Sequence, residues 1–160
     1  MKKSIIIIVL FVIILIVIIF AVKMIPKEQN INMNIQELAK ELSSAPIYED
    51  NLSEIDKDSI IKKYNFNEQK IKNIVSYVGT GATAEEILII ELLDKKDIEE
   101  TKQIIETKID ERKSDFQNYL PKEVSKLENY YLISKGNYII LCISNNYNKA
   151  DEIIMKYMKG

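Results

Sequence analysis

The chain has 160 residues, with no histidine, no tryptophan, one cysteine, three prolines and four glycines. Without histidine there is no serine–histidine catalysis and no histidine-containing zinc site, although a serine–lysine pair stays open. A single cysteine, Cys142, forms no intramolecular disulfide and is a poor start for a thiolate zinc site. Cys142 lies within an apolar run and reads as a small core residue. No cofactor and no metal ligand set is expected. Arginine is scarce as well: Arg112 is the only one.

One region has almost no charge at all. Residues 5–22 are unbroken apolar sequence, flanked by Lys2, Lys3 and Lys23. As a helix, these residues rise about 27 Å, close to the thickness of a bilayer's hydrocarbon core. A helix satisfies its own backbone in lipid, so the run can span. A cleaved signal would have a shorter apolar core and small residues before the cut. Here Ile19 stands two residues before Ala21, so the small-x-small pattern is missing. Residues 1–27 are therefore expected to be an uncleaved transmembrane anchor with its flanks, and 28–33 a juxtamembrane linker. Basic residues on both sides barely discriminate orientation; the short N-terminal flank favours an extracytoplasmic C-terminal domain over residues 34–160.

Residues 1–27 hold four lysines and no acidic residue, leaving eighteen of the 22 basic residues against 24 acidic ones, a net of −6. An acidic domain without a basic stripe is a poor ligand for nucleic acid, and none is expected as a partner.

Periodicity orders the domain. Ile35, Leu38, Ala39 and Leu42 follow helical spacing, with Asn34 as cap and Glu37 three residues on, a capping-box pattern. Residues 56–64 predict a short helix. Residues 74–78 and 86–93 predict two strands joined by Gly79-Thr80-Gly81-Ala82-Thr83, an antiparallel hairpin. Residues 97–118 predict a long helix capped by Asp97, with Ile98, Thr101, Ile105, Ile109, Phe116 and Tyr119 on one face. Pro121 opens a short helix. A second hairpin turns at Gly136-Asn137, and a helix over 149–158 closes the chain. The expected fold class is α+β: a transmembrane helix, then a small domain whose mostly antiparallel sheet of about four strands has helices on one face.

Arg112 sits on the apolar stripe of the long helix, where a guanidinium needs a partner. Glu86 alternates in phase with Leu88, Ile90 and Leu92, and is the preferred one. The pair Glu86–Arg112 is the candidate site. It is either a structural bridge between helix and sheet or, with Arg112 turned to a ligand, a carboxylate- or phosphate-binding group. The first reading is preferred. The glycine loop lacks the Lys-Ser/Thr ending of a phosphate loop and the third glycine of a dinucleotide fingerprint. Asp56-Lys57-Asp58 lacks calcium-loop spacing. Tyr64, Tyr77, Tyr119, Tyr130, Tyr131 and Tyr138 are either half-buried packing or an aromatic binding surface. No catalytic set emerges.

Four segments carry a resemblance: Thr83-Ala84-Glu85-Glu86-Ile87, Glu111-Arg112, Phe116-Gln117-Asn118-Tyr119-Leu120-Pro121, and Lys135-Gly136-Asn137-Tyr138. In this order and spacing they resemble a bacterial exported family catalogued as domain of unknown function 4358. The resemblance implies export and a fold shared over most of the domain. It implies no reaction, ligand or catalytic residue. Family members are often lipoproteins, whereas this chain has no cysteine after its apolar run.

The expected function is a membrane-anchored extracytoplasmic module, without enzymatic activity, that binds a protein or another component of the bacterial cell envelope. The alternatives are an envelope hydrolase using Glu85, Glu86 or Glu91, and a self-associating structural subunit of a membrane complex.

Overall fold

The computed structural model describes residues 13–18, 20 and 32–158. Most of the expected anchor, residues 5–22, and most of the 28–33 linker lie outside the described residues. Residues 13–18 are helical, with apolar side chains 51–60% exposed. Among the described residues, no helix is long and apolar enough to cross a membrane.

Helix α1 (Ile35–Ser43) starts where Asn34 accepts a hydrogen bond from the Glu37 amide at 3.2 Å. The return bond differs from a true capping box: Glu37 accepts from the Asn34 side-chain amide, not its backbone. The chain then runs through β1 (Ser53–Ile55), α2 (Lys57–Tyr64), β2 (Ile71–Val78), β3 (Glu86–Leu92), α3 (Ile98–Tyr119), α4 (Pro121–Glu128), β4 (Tyr131–Lys135), β5 (Tyr138–Ile143) and α5 (Tyr147–Tyr157). Asp56 caps α2 through the Ser59 amide at 2.9 Å, and Asn65 ends it in the left-handed region at φ 57°. Asp97 does not cap α3 with its side chain, contrary to expectation. It closes a 3-10 turn (Lys95–Asp97), and its carboxylate pairs with Lys70 at 2.9 Å.

The sheet has five strands in the order β1-β2-β3-β5-β4, all antiparallel. The expected count of about four missed β1. Its three residues are too short and too exposed to carry an alternating pattern, and only pairing with β2 makes them a strand. Chain order departs from sheet order once: after β3 the chain passes through α3 and α4 to the far edge, β4, and turns back so that β5 fills the gap beside β3.

Helices cover both faces, not one. Ile87, Ile89, Ile140 and Cys142 pack against Leu38 and Leu42 of α1 and Ile153 and Ile154 of α5. Leu88, Ile90, Leu92, Ile139 and Leu141 pack against Ile60 and Tyr64 of α2, Ile105, Ile109 and Phe116 of α3, and Leu127 of α4. The correction has a sequence cause. β3 and β5 are buried at every position, so their apolar residues do not alternate with polar ones. A sheet with one wet face would show alternation; a sandwiched strand does not. Each fully buried isoleucine or leucine contributes about 1.5–3 kcal/mol relative to exposure, so the two layers supply most of the cohesion.

Candidate functional site

The chain enters β3 through two consecutive carboxylates, and both are hidden from solvent. Strand alternation sends Glu86 to the α3 face, in phase with Leu88 and Leu92. There Arg112 donates to its Oε2 from Nη1 at 2.7 Å and to the Ala84 carbonyl from Nη2 at 2.9 Å. The structure thus places the two sequence-derived candidates, Glu86 and Arg112, in direct contact. The guanidinium is divided between a carboxylate and a backbone carbonyl.

Three further partners were missed. Lys63 donates to the same Oε2 at 2.7 Å, and the Tyr64 hydroxyl donates to Oε1 at 2.9 Å. Both come from the last turn of α2, packed beside α3 over the same face of the sheet. The Ser76 hydroxyl of β2 donates to Glu86 Oε1 at 3.5 Å. Burial, with the neighbouring Glu86 charge adding to it, pushes the Tyr64 hydroxyl well above the usual tyrosine range. It remains a neutral donor. Burial also presses Lys63 below the ordinary lysine value. Glu86 opposes that shift, and the Arg112 charge reinforces it. Two cations therefore share one carboxylate.

Glu85 is held differently. It accepts from the backbone amides of Glu49 (2.9 and 3.0 Å) and Asp50 (2.9 Å), and from Lys126 of α4 at 3.0 Å. Lys126 also meets Glu123 at 3.1 Å and Glu49 at 3.4 Å. Burial opposes its charge, but the bonds to Glu85 and Glu123 prevail and hold its pKa above the ordinary value. Glu123 in turn accepts from the Ala84 amide at 2.9 Å. Here three carboxylates share one cation.

At the other end of β3, Glu91 accepts from Lys72 (2.8 Å), Asn73 (2.6 Å) and the Tyr138 hydroxyl (3.1 Å). Burial works to raise its pKa, and these three donors together outweigh it, leaving Glu91 below the usual glutamate value. The Met33 amide donates to the Tyr138 oxygen at 3.3 Å, joining the start of the domain to this network.

The glycine loop is turned inward. Asp50 accepts from the Thr80 amide and hydroxyl, both at 2.7 Å, so donors that would face a phosphate already hold a carboxylate of the chain. A Cβ at Gly79 would stand 2.6 Å from Thr83 Oγ1 and 2.9 Å from Asp50 Oδ2, closer than real contacts allow. Cys142 is buried against the Tyr48 hydroxyl at 3.2 Å, and burial raises its pKa, which disfavours the thiolate. The tyrosines do not form one surface. Tyr64 stacks on Phe66 within the α2–α3 layer, Tyr138 lies in the opposite layer, and Tyr119 is exposed beside Phe116.

Among the described residues, every buried side-chain nitrogen and oxygen has a hydrogen-bond partner. Among the same residues, no group of three or more candidate ligands is placed to hold a metal ion. Among the described residues, a groove of about 410 Å³ lies between α2 and α3 beside the Glu86 cluster.

The family described as Domain of unknown function (DUF4358) matches residues 45–144, from the loop after α1 to the end of β5. The chain belongs to that family. No curated protein and no solved structure matches it.

Proposed function

We propose that this member of the DUF4358 family is a membrane-anchored extracytoplasmic module that binds a protein or another cell-envelope component, without enzymatic activity of its own. The observation that carries the reading is the apolar segment 5–22. Its described part is helical, and its isoleucine, leucine, valine and phenylalanine side chains stand exposed. A helix apolar on every side is suited to lipid.

The carboxylates of β3 support a binding role over the hydrolase alternative. Glu85, Glu86 and Glu91 are each engaged by donors of the chain itself. A general acid or nucleophile needs a carboxyl group within reach of substrate. These three instead fasten a loop, three helices and the two neighbouring strands to β3.

Two measurements on the full chain test the proposal. Membranes from expressing bacteria are washed with alkaline carbonate, and a C-terminal phosphatase fusion, active only outside the cytoplasm, reports topology. Retention in the membrane with active phosphatase is expected. Release by carbonate, or an inactive fusion, overturns the anchor or its orientation. Crosslinking in intact cells then tests binding: a discrete adduct is expected, and recovery of the chain alone or crosslinked to itself moves the weight to a self-associating subunit.

A further inference from the structure

The groove between α2 and α3 is electropositive in a domain that is otherwise acidic. Lys62, Lys63 and Asn65 at the end of α2 line one wall, and Gln103, Thr107, Lys108 and Glu111 of α3 line the other, three cations against one carboxylate. Lys62 is exposed and has no ion-pair partner among the described residues. Lys108 meets only Glu111, one turn along the same helix at 2.7 Å. An exposed pair of this kind contributes little and exchanges readily for a stronger anion.

Beneath the groove, Lys63 belongs to the buried cluster in which it and Arg112 share Glu86. One carboxylate balances one of the two cations. The remaining positive charge opens to the groove through Lys63, whose side chain is 27% exposed.

We propose that the groove binds a phosphate ester, its phosphate held by Lys62 and Lys108 above the Lys63–Glu86–Arg112 cluster. The donor types favour phosphate over carboxylate. Arg112, the one planar fork in the chain, is spent on Glu86 and Ala84. The exposed cations are ammonium groups, point charges that suit a phosphate and do not impose bidentate carboxylate geometry. About 410 Å³ exceeds the needs of a lone phosphate, and Ile104 and Tyr64 offer an apolar wall to an organic substituent. The inference goes beyond the anchored binding module and does not depend on the side of the membrane that the domain occupies.

The experiment is a thermal-shift titration of the full chain in neutral detergent with glycerol phosphate, at ionic strength held constant with chloride. A saturable rise in melting temperature is expected. Lys62→Gln and Lys108→Gln each weaken apparent affinity about tenfold, the weight of one charge-assisted hydrogen bond. Lys149→Gln, in an exposed pair on α5, leaves it unchanged. Melting in chloride alone reports whether each variant is folded. The absence of a saturable rise, or equal responses in all variants, overturns the proposal. Repeating the titration in nanodiscs identifies the source. A response lost in phosphatidylglycerol but kept in phosphatidylcholine assigns the site to lipid headgroups; a response kept in both assigns it to a soluble ester.

Discussion

Glu85 and Glu86 are adjacent, carry the same charge and are equally hidden from water, but they are satisfied by opposite means. Glu86 receives only side chains: Lys63 and Tyr64 of α2, Arg112 of α3 and, at 3.5 Å, Ser76 of β2. Glu85 receives backbone amides of the 49–50 loop and one lysine shared with two other carboxylates. The first cluster is rich in cations, the second in anions. A buried charge met by fixed amide dipoles keeps most of its support when one side chain is lost. A charge met by other charges loses its balance with any member, and the groups left behind are themselves ionic. The Glu86 cluster should therefore be the more fragile, and its surplus charge is the one that reaches an open groove.

That contrast can be broken by substitution. Glu86→Ala strands Lys63 and Arg112 and should cost about 3–5 kcal/mol in denaturant unfolding of the full chain. Glu85→Ala frees two loop amides that can turn to water, and Lys126 keeps Glu123. Its cost should be smaller, about 2 kcal/mol. A larger loss at position 85 than at 86 would reverse the comparison. Arg112→Lys retains the charge but cannot reach Glu86 and the Ala84 carbonyl in one planar fork, so about 1–2 kcal/mol should be lost. An unchanged melting temperature would sink the idea that Arg112 bridges helix and sheet.

The smallest effect is a pH dependence that sets Glu91 beside the other two. Its folded pKa is lowered, so its contribution is present above the unfolded glutamate value, about 4.3, and is lost as pH falls through the folded value. Acid unfolding of Glu91→Gln should be less steep below pH ~4 than that of the parent chain. Parallel acid limbs would show that Glu91 carries no such linkage.

What the sequence disclosed and what it hid follow a physical divide. The Asn34 cap, the stripe of α3 and the phase of Glu86 with Leu88 are local regularities, set within a few residues of the chain. The same stripe carried Arg112 to the sheet. Lys63 and Tyr64 could not be read as partners of Glu86, because their approach depends on how α2 packs beside α3. Lys126 meeting Glu85 is likewise a matter of helix placement. β1 exists only through its pairing with β2, and the second helical layer was obscured because an apolar run like β3 reads the same over one core or between two. Gly79 was placed in a turn, but the reason only glycine fits there, Asp50 and Thr83 closing around it, lies 29 residues away on one side.

The hydrogen bond from the Met33 amide to Tyr138 has a mechanical consequence. It fastens the domain to the chain at Met33, eleven residues after the apolar segment ends at Val22. Eleven residues cannot span more than about 40 Å even when drawn out fully. With the proposed anchor in place, the leash is therefore about as long as a small domain is wide. Such a module patrols only a thin shell above the bilayer, and whatever it captures must come to that surface.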